Sequence, residues 1–234
     1  MSLSSFHKLL AVTALATVSA VGCTPFWESQ SDKTPPPPQP TMVGHHTSIR
    51  WLPPSVSRFA RLIDEASFRH GVDANLIAIV VLVESGGDPM ATSPAGAMGL
   101  MQIMPATGRD IAARRGITTH ADVRLFDPAY NIDLGAWYLA RQIERFWTGH
   151  PDSTVDRAAA AYNGGPRRLA EHLDQGAPLP LETRQYQGWV GGMWRERFLP
   201  ASNAYGAWWN AGGERLVTTA NRSVLPVPGL PTAL

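Results

Sequence analysis

A mainly α-helical domain is the fold this sequence predicts. Apolar residues recur at three- and four-residue spacing through several segments, and no stretch of useful length alternates apolar with polar residues as a strand would. Glycine and proline punctuation cuts the periodic segments into about seven short helices joined by irregular loops.

Each element has its own signal. The folded part starts at Trp51-Leu52-Pro53-Pro54, after which Val56, Phe59, Leu62, Ile63 and Phe68 share one face of an amphipathic helix ending near Gly71. Asp73 can cap the next helix, an apolar run over 76–83 closed by Gly86-Gly87. Residues 88–105 form a loop rich in Gly, Ala, Ser and Met, and Pro105 suits the first turn of a short helix reaching Arg115. Asp127-Pro128 begins a helix to about Phe146, with Ile132, Leu134, Leu139 and Ile143 among its apolar positions. Thr154 or Ser153 can cap the segment 155–162, which stops at Gly164-Gly165-Pro166. A further helix runs from about Leu181 to Phe198, its register left open by the glycines between 188 and 192. Residues 200–234 carry Trp208-Trp209 with scattered Gly and Pro and stay unassigned.

The organisation is one domain with tails. Residues 1–22 read as an export signal: Lys8 precedes an apolar stretch over 9–18 that is too short to span a membrane as a mature helix, and small residues lead to Cys23. Ala20-Val21-Gly22-Cys23 resembles a bacterial lipoprotein box, in which the cysteine becomes the lipidated first residue. Val18-Ser19-Ala20 also suits an ordinary signal peptidase, so a lipidated outer-membrane protein facing the periplasm and a soluble periplasmic one are both open. Thr24 follows the cysteine where lipoproteins kept at the inner membrane often have aspartate, which favours the outer membrane. Residues 23–50 form the lipidated N-terminus and a linker whose run Pro35-Pro36-Pro37-Pro38-Gln39-Pro40 is a semi-rigid spacer of about 3.1 Å per residue. The domain occupies 51–199.

Composition excludes several function classes. A net charge of +1, which includes Lys8 of the signal, gives no electrostatic footprint for nucleic acid. One cysteine cannot form a zinc-type spacing, no Walker-type or GxGxxG loop occurs, and the six histidines from His45 to His172 (His45, His46, His70, His120, His150, His172) form no metal pattern and read as solvated positions. No cofactor or metal is expected.

Glu84 carries the chemistry. It ends the apolar run immediately before Ser85-Gly86-Gly87-Asp88-Pro89. The negative end of the helix dipole and apolar neighbours both oppose ionisation there, and a carboxyl still protonated near neutral pH is what a general acid requires. A helix that simply ends at the surface would leave the same residue solvated, and the segment alone does not separate the two readings.

Three distant motifs do. Gly99-Leu100-Met101-Gln102-Ile103-Met104-Pro105, Ala161-Tyr162-Asn163-Gly164-Gly165 and Glu182-Thr183-Arg184-Gln185-Tyr186 follow Glu84-Ser85 in an order and spacing that resemble the soluble-type (SLT) lytic transglycosylases of the lysozyme-like superfamily. Asp127-Pro128, Asn131-Ile132, Gly135 and Tyr138-Leu139 fit the same family, and the resemblance spans about residues 55–198. It implies a goose-type helical domain whose loops form a glycan cleft, with peptidoglycan glycan strands as partner. It implies cleavage of the β-1,4 bond between N-acetylmuramic acid and N-acetylglucosamine to a 1,6-anhydromuramoyl end, with Glu84 as single acid and base.

The same resemblance places Ser93, Gln102, Met104, Tyr162, Asn163 and Glu182 at the substrate. Each has a bland rival: Ser93 and Asp88 as turn residues, Met101 and Met104 as core filling, Asn163 as a helix end, Glu182 as a favoured first-turn carboxylate. Gln102 can both donate to and accept from sugar groups, and Tyr162 offers a stacking face and a phenol. Gln187 departs from the small aliphatic residue common after the tyrosine. A hydrolytic muramidase, or a non-catalytic peptidoglycan-binding envelope protein, are the alternatives. A partner in the envelope or in secretion machinery is compatible with the sequence but not identified by it.

Overall fold

The helix that carries Glu84 is the centre of the molecule. A computed structural model of the chain describes residues 44–222, all within one unit, Pro38–Leu234. The export signal, Cys23, the proline run and residues 223–234 lie outside them. Helix α3, Ala74–Ser85, is buried at every position except Glu84. Such a helix, apolar all round, is stable only inside a core, where each Leu, Ile or Val contributes roughly 1.5–3 kcal/mol. Asp73 caps it as expected, accepting from the Asn75 amide at 2.8 Å, and Gly86 ends it in the left-handed region at φ 63°.

Other helices surround it. The single helix expected from 56 to 71 is two: α1, Pro54–Ser57, and α2, Ala60–His70, separated at Arg58 and Phe59. The break has a cause, because α1 is tied to the turn after α3 through Ser55 and Arg58 and so cannot follow the axis of α2. Phe68, assigned to the apolar face, is 77% exposed, whereas Val56 and Ile63 are fully buried. Helix α4, Pro105–Arg114, starts on its proline. A short 3₁₀ turn, Asp122–Phe126, leads into α5, Pro128–Arg145, which Asp127 caps through the Tyr130 amide.

Helix α6, Pro151–Gly164, begins earlier than expected. Neither Ser153 nor Thr154 is its cap: Pro151 takes the first position, and Thr154, already helical, bonds back to the His150 carbonyl at 2.8 Å. Helix α7, Pro166–Gln175, was not anticipated, since only Leu169 on it is buried. Helix α8, Leu181–Arg195, stops short of Phe198, which is 67% exposed. The helix runs unbroken through its glycines, and two of them let neighbours approach closely: a Cβ on Gly191 would lie 1.9 Å from Asp156 Oδ1 of α6, and one on Gly192 2.6 Å from the Ala204 Cβ.

The packed unit extends beyond 51–199 at both ends. Ile49 is buried and the Ser48 amide donates to Asn75 at 2.8 Å. The unassigned tail folds into α9, Asn203–Trp208, a wide turn over Trp209–Gly213, and α10, Glu214–Arg222. Tyr205 sits among Trp51, Trp208 and Trp209 with ring centroids 5.4–5.8 Å apart. Among the described residues there is no strand, only isolated bridges from Met98 to Thr92 and Ile103, and no helix is long and apolar enough to cross a membrane.

The histidines are not uniformly solvated. The His70 ring, 7% exposed, lies 2.8 Å from Asp133, which also holds Arg69 and Arg115 and so joins α2, α4 and α5. His120 is also sheltered, its Nδ1 2.8 Å from the Tyr130 hydroxyl. A buried carboxylate needs nearby donors, and sequence spacing hides partners that lie more than sixty positions apart.

Candidate active site

The last turn of α3 presents Glu84 at the edge of the core, and the surrounding residues determine its proton affinity. Burial among apolar neighbours pushes the carboxyl up to about 8, the nearby Tyr186 hydroxyl pulls it down, and the Glu182 carboxylate raises it further. Glu84 is therefore protonated at neutral pH. Tyr186, on α8 one turn beyond Glu182, is 4% exposed. Its buried hydroxyl makes no hydrogen bond of ordinary geometry among the described residues, yet lies near enough to the Glu84 carboxyl to act on its proton affinity. Burial, with Glu84 next to each ring, holds the phenols of Tyr162 and Tyr186 well above their ordinary range, so both remain O–H donors.

The loop after α3 is anchored to these groups by backbone carbonyls. Ser85 donates its hydroxyl to the Leu100 carbonyl at 2.8 Å, and Tyr162 donates to the Met101 carbonyl at 2.9 Å while its ring leans on Tyr138. Asn131 of α5 organises the loop from beneath. Its Oδ1 accepts from the Met101 amide at 2.7 Å, and its Nδ2 donates to the carbonyls of Met98 and Leu125. Gly99, at φ 77°, has to be glycine, because a Cβ would lie 2.1 Å from the Leu125 carbonyl oxygen. Met101 is core, packed where α5 narrows at Gly135.

Gln102 is the single non-glycine residue with positive φ, 46°, among the described residues. Its Nε2 donates to the carbonyls of Ala91 and Gly99, which holds that backbone and leaves Oε1 without a hydrogen-bond partner among the described residues. A residue kept in this sparsely populated region by its own side chain marks a place where surrounding structure dictates the backbone. Ser93 closes the loop's tip, accepting from the Ala97 amide at 3.0 Å, and its own O–H has no acceptor among the described residues. Met104, 40% exposed, immediately precedes α4. Asn163 is half-buried in the last turn of α6 and makes no side-chain hydrogen bond among the described residues.

Glu182 and Tyr162 thus sit within electrostatic reach of Glu84, together with Tyr186, while Ser93, Gln102, Met104 and Asn163 make no hydrogen bond to it. Asp88 is a turn residue, its Oδ1 accepting from the Met90 amide at 2.9 Å. Among the described residues no three His, Cys, Asp or Glu side chains are grouped as metal ligands. Sequence reasoning gave no role to Asn131. Its signals were its place among the residues that fit the family and an amide side chain near the start of an otherwise amphipathic helix.

This arrangement can donate a proton from a desolvated acid, and the chain that forms it is similar to known proteins. Residues 61–178 match the family described as Transglycosylase SLT domain. The membrane-bound lytic murein transglycosylase C of Glaesserella parasuis is 34% identical over 145 residues, 60% of this chain and 38% of the relative. That of Histophilus somni is 38% identical over 128 residues, 53% of this chain and 34% of the relative. The chain thus spans little more than a third of the length of these curated relatives. Among solved structures, the 70 kDa soluble lytic transglycosylase of Escherichia coli superposes with a TM-score of 0.52 at 26% identity, covering 61% of this chain and 24% of that one. An inactive glutamate-to-glutamine mutant of the Pseudomonas aeruginosa lytic transglycosylase Slt gives 0.52 at 27% identity, covering 64% and 26%.

Proposed function

The chain belongs to the transglycosylase SLT-domain family, and from that premise we propose that it is a peptidoglycan lytic transglycosylase with Glu84 as its one acid and base. The observation that carries this reading is the desolvated Glu84 carboxyl, protonated up to about pH 8. Its proton goes to the oxygen of the β-1,4 bond between N-acetylmuramic acid and N-acetylglucosamine. That bond breaks, and the N-acetyl oxygen of the muramoyl sugar stabilises the electron-poor C1. Glu84, now a carboxylate, takes the proton of the C6 hydroxyl as that oxygen bonds to C1. The acid is regenerated and no water is consumed, unlike the chemistry of two-carboxylate glycosidases. The inactivity of the Pseudomonas aeruginosa glutamate-to-glutamine mutant supports a glutamate in this role.

The remaining site residues take binding roles in this reading. The free O–H of Ser93 suits the N-acetyl oxygen, and Gln102 Oε1 accepts from sugar hydroxyls or amides. Met104 and the Tyr162 ring offer apolar contact to sugar faces, and Asn163 and the exposed Glu182 supply polar groups. The Glu84→Gln variant tests the assignment: it keeps the shape and loses the proton, so release of soluble fragments from purified peptidoglycan should fall at least a thousandfold. Undiminished release would end the assignment.

Anchoring through a lipid on Cys23, with the domain held off the outer membrane on the periplasmic side, is part of the proposal. The curated relatives are membrane-bound by name, which supports it. Mass spectrometry of the mature N-terminus should find a lipidated Cys23; an unmodified N-terminus after Ala20 would show the soluble periplasmic form instead.

A further inference from the structure

The position of Glu84 depends on how α3 ends, and that end is gripped from two sides by segments outside the family match at 61–178. On one side lies α1. Ser55, 1% exposed, donates its hydroxyl to the Gly86 carbonyl at 2.7 Å, and Arg58 donates to the Gly87 carbonyl at 2.7 Å. The approach is close enough that a Cβ on Gly87 would lie 2.3 Å from the Ser55 carbonyl oxygen. On the other side lies α10. A Cβ on Gly86 would be 2.5 Å from the Leu216 carbonyl carbon and 2.6 Å from the Val217 nitrogen. Val217 and Ala220, the buried residues of α10, are 3% and 0% exposed.

The two sides are also joined to each other. Trp51, just before α1, packs on Tyr205 of α9, and Gly213, just before α10, lies against the Trp208 ring at a distance that leaves no room for a Cβ. One aromatic cluster therefore sets the separation of the two elements that enclose the turn.

We propose that α1 and α10 form a two-sided clamp on the Gly86–Gly87 turn that fixes the Glu84 carboxyl for proton transfer, with Ser55, Arg58 and Val217 as positioning residues. The proposal rests on Glu84 being the acid and base. A carboxyl that must give a proton to one oxygen and take one from another tolerates little displacement, since an error of about 1 Å can cost up to a hundredfold in rate. Backbone contacts on both faces of the turn leave α3 no freedom to fray there, whereas a helix end with only its own hydrogen bonds would fray.

The test uses the full chain carrying Val217→Ala, Ser55→Ala or Val217→Ile, with Val155→Ala as control. Val155 is as buried as Val217 but lies on α6, away from the turn. Amide hydrogen exchange at Gly86 and Gly87 is measured alongside kcat and KM on soluble glycan strands from purified peptidoglycan. The clamp predicts that Val217→Ala and Ser55→Ala raise exchange at the turn about tenfold above the rest of α3 and lower kcat about tenfold with KM unchanged. Val217→Ile should restore both, and Val155→Ala, at a similar loss of Tm, should move neither. Equal effects from the control and the clamp variants, following Tm alone, would overturn the proposal. If the wild-type chain cleaves no bond, the acid-base reading of Glu84 fails, and the exchange pattern still decides whether α1 and α10 hold the turn.

Discussion

In the proposed role, Glu84 combines two demands that conflict in most side chains: it must be desolvated enough to hold a proton and reachable enough to deliver it. The fold meets both by making it the one residue of α3 that is not buried. Its carboxyl binds a proton up to about pH 8 when folded against 4.5 for the ordinary side chain. Between those values the unfolded chain ionises and the folded one does not, so this group's contribution to stability is full below about 4.5 and lost as pH rises through about 8. Glu84→Gln is therefore expected to gain in Tm relative to wild type at pH 9 compared with pH 5, which calorimetry at the two values checks. The alkaline limb of kcat/KM should lie near pH 8 for the same reason. Tyr186 modulates it: its hydroxyl pulls the Glu84 value down, so Tyr186→Phe should move that limb to higher pH without loss of Tm, a change read from the pH–rate profile. A limb that stays in place would mean the hydroxyl does not act on Glu84. Of this arrangement, the carboxylate at the end of an apolar run was legible in the sequence, because dipole and desolvation are local effects. The partners on α6 and α8 were legible only through a family resemblance, because contact between residues 78 to 102 positions apart leaves no periodic trace.

At the scale of elements, α3 and α5 do different work. The first carries the acid, and the second, through Asn131, shapes the loop beside it. Asn131→Ala would strand the Met101 amide and the Leu125 carbonyl in the interior, while the Met98 carbonyl keeps the Ile103 amide, at a cost of about 2–3 kcal/mol, and activity should fall further than stability because Gln102 lies on that loop. Chemical denaturation together with fragment release measures both. The apolar periodicity and caps of α3 and α5 were readable in advance, since Asp73 and Asp127 act on amides two and three positions away. The break between α1 and α2, the exposure of Phe68 and the existence of α7 were not. The first depends on ties to the turn after α3, and α7 buries a single apolar residue, so neither declares itself by hydrophobic pattern.

For the whole molecule, the family match at 61–178 supplies Glu84 and Tyr162, helix α8 beyond it adds Glu182 and Tyr186, and the flanking segments complete the body around the site. Residues 200–222, opaque in sequence because their aromatic residues pack on Trp51 rather than on one another alone, turn out to close the structure behind α3. The Asp133 network works at the same scale, joining α2, α4 and α5. Burial raises the Asp133 value, but His70, Arg115 and Arg69 outweigh it and hold the carboxyl well below its ordinary range. Its stabilisation is thus present above about pH 4 and lost on further acidification, and Asp133→Asn should cost on the order of 3 kcal/mol at neutral pH and less in acid. Denaturation at pH 7 and pH 3 makes that comparison. The central claim, that one glutamate both gives and takes the proton, is tested most directly by the mass of the products released from purified peptidoglycan. Single acid-base catalysis predicts muramoyl ends in the 1,6-anhydro form; ends heavier by one water would contradict it and show a hydrolase.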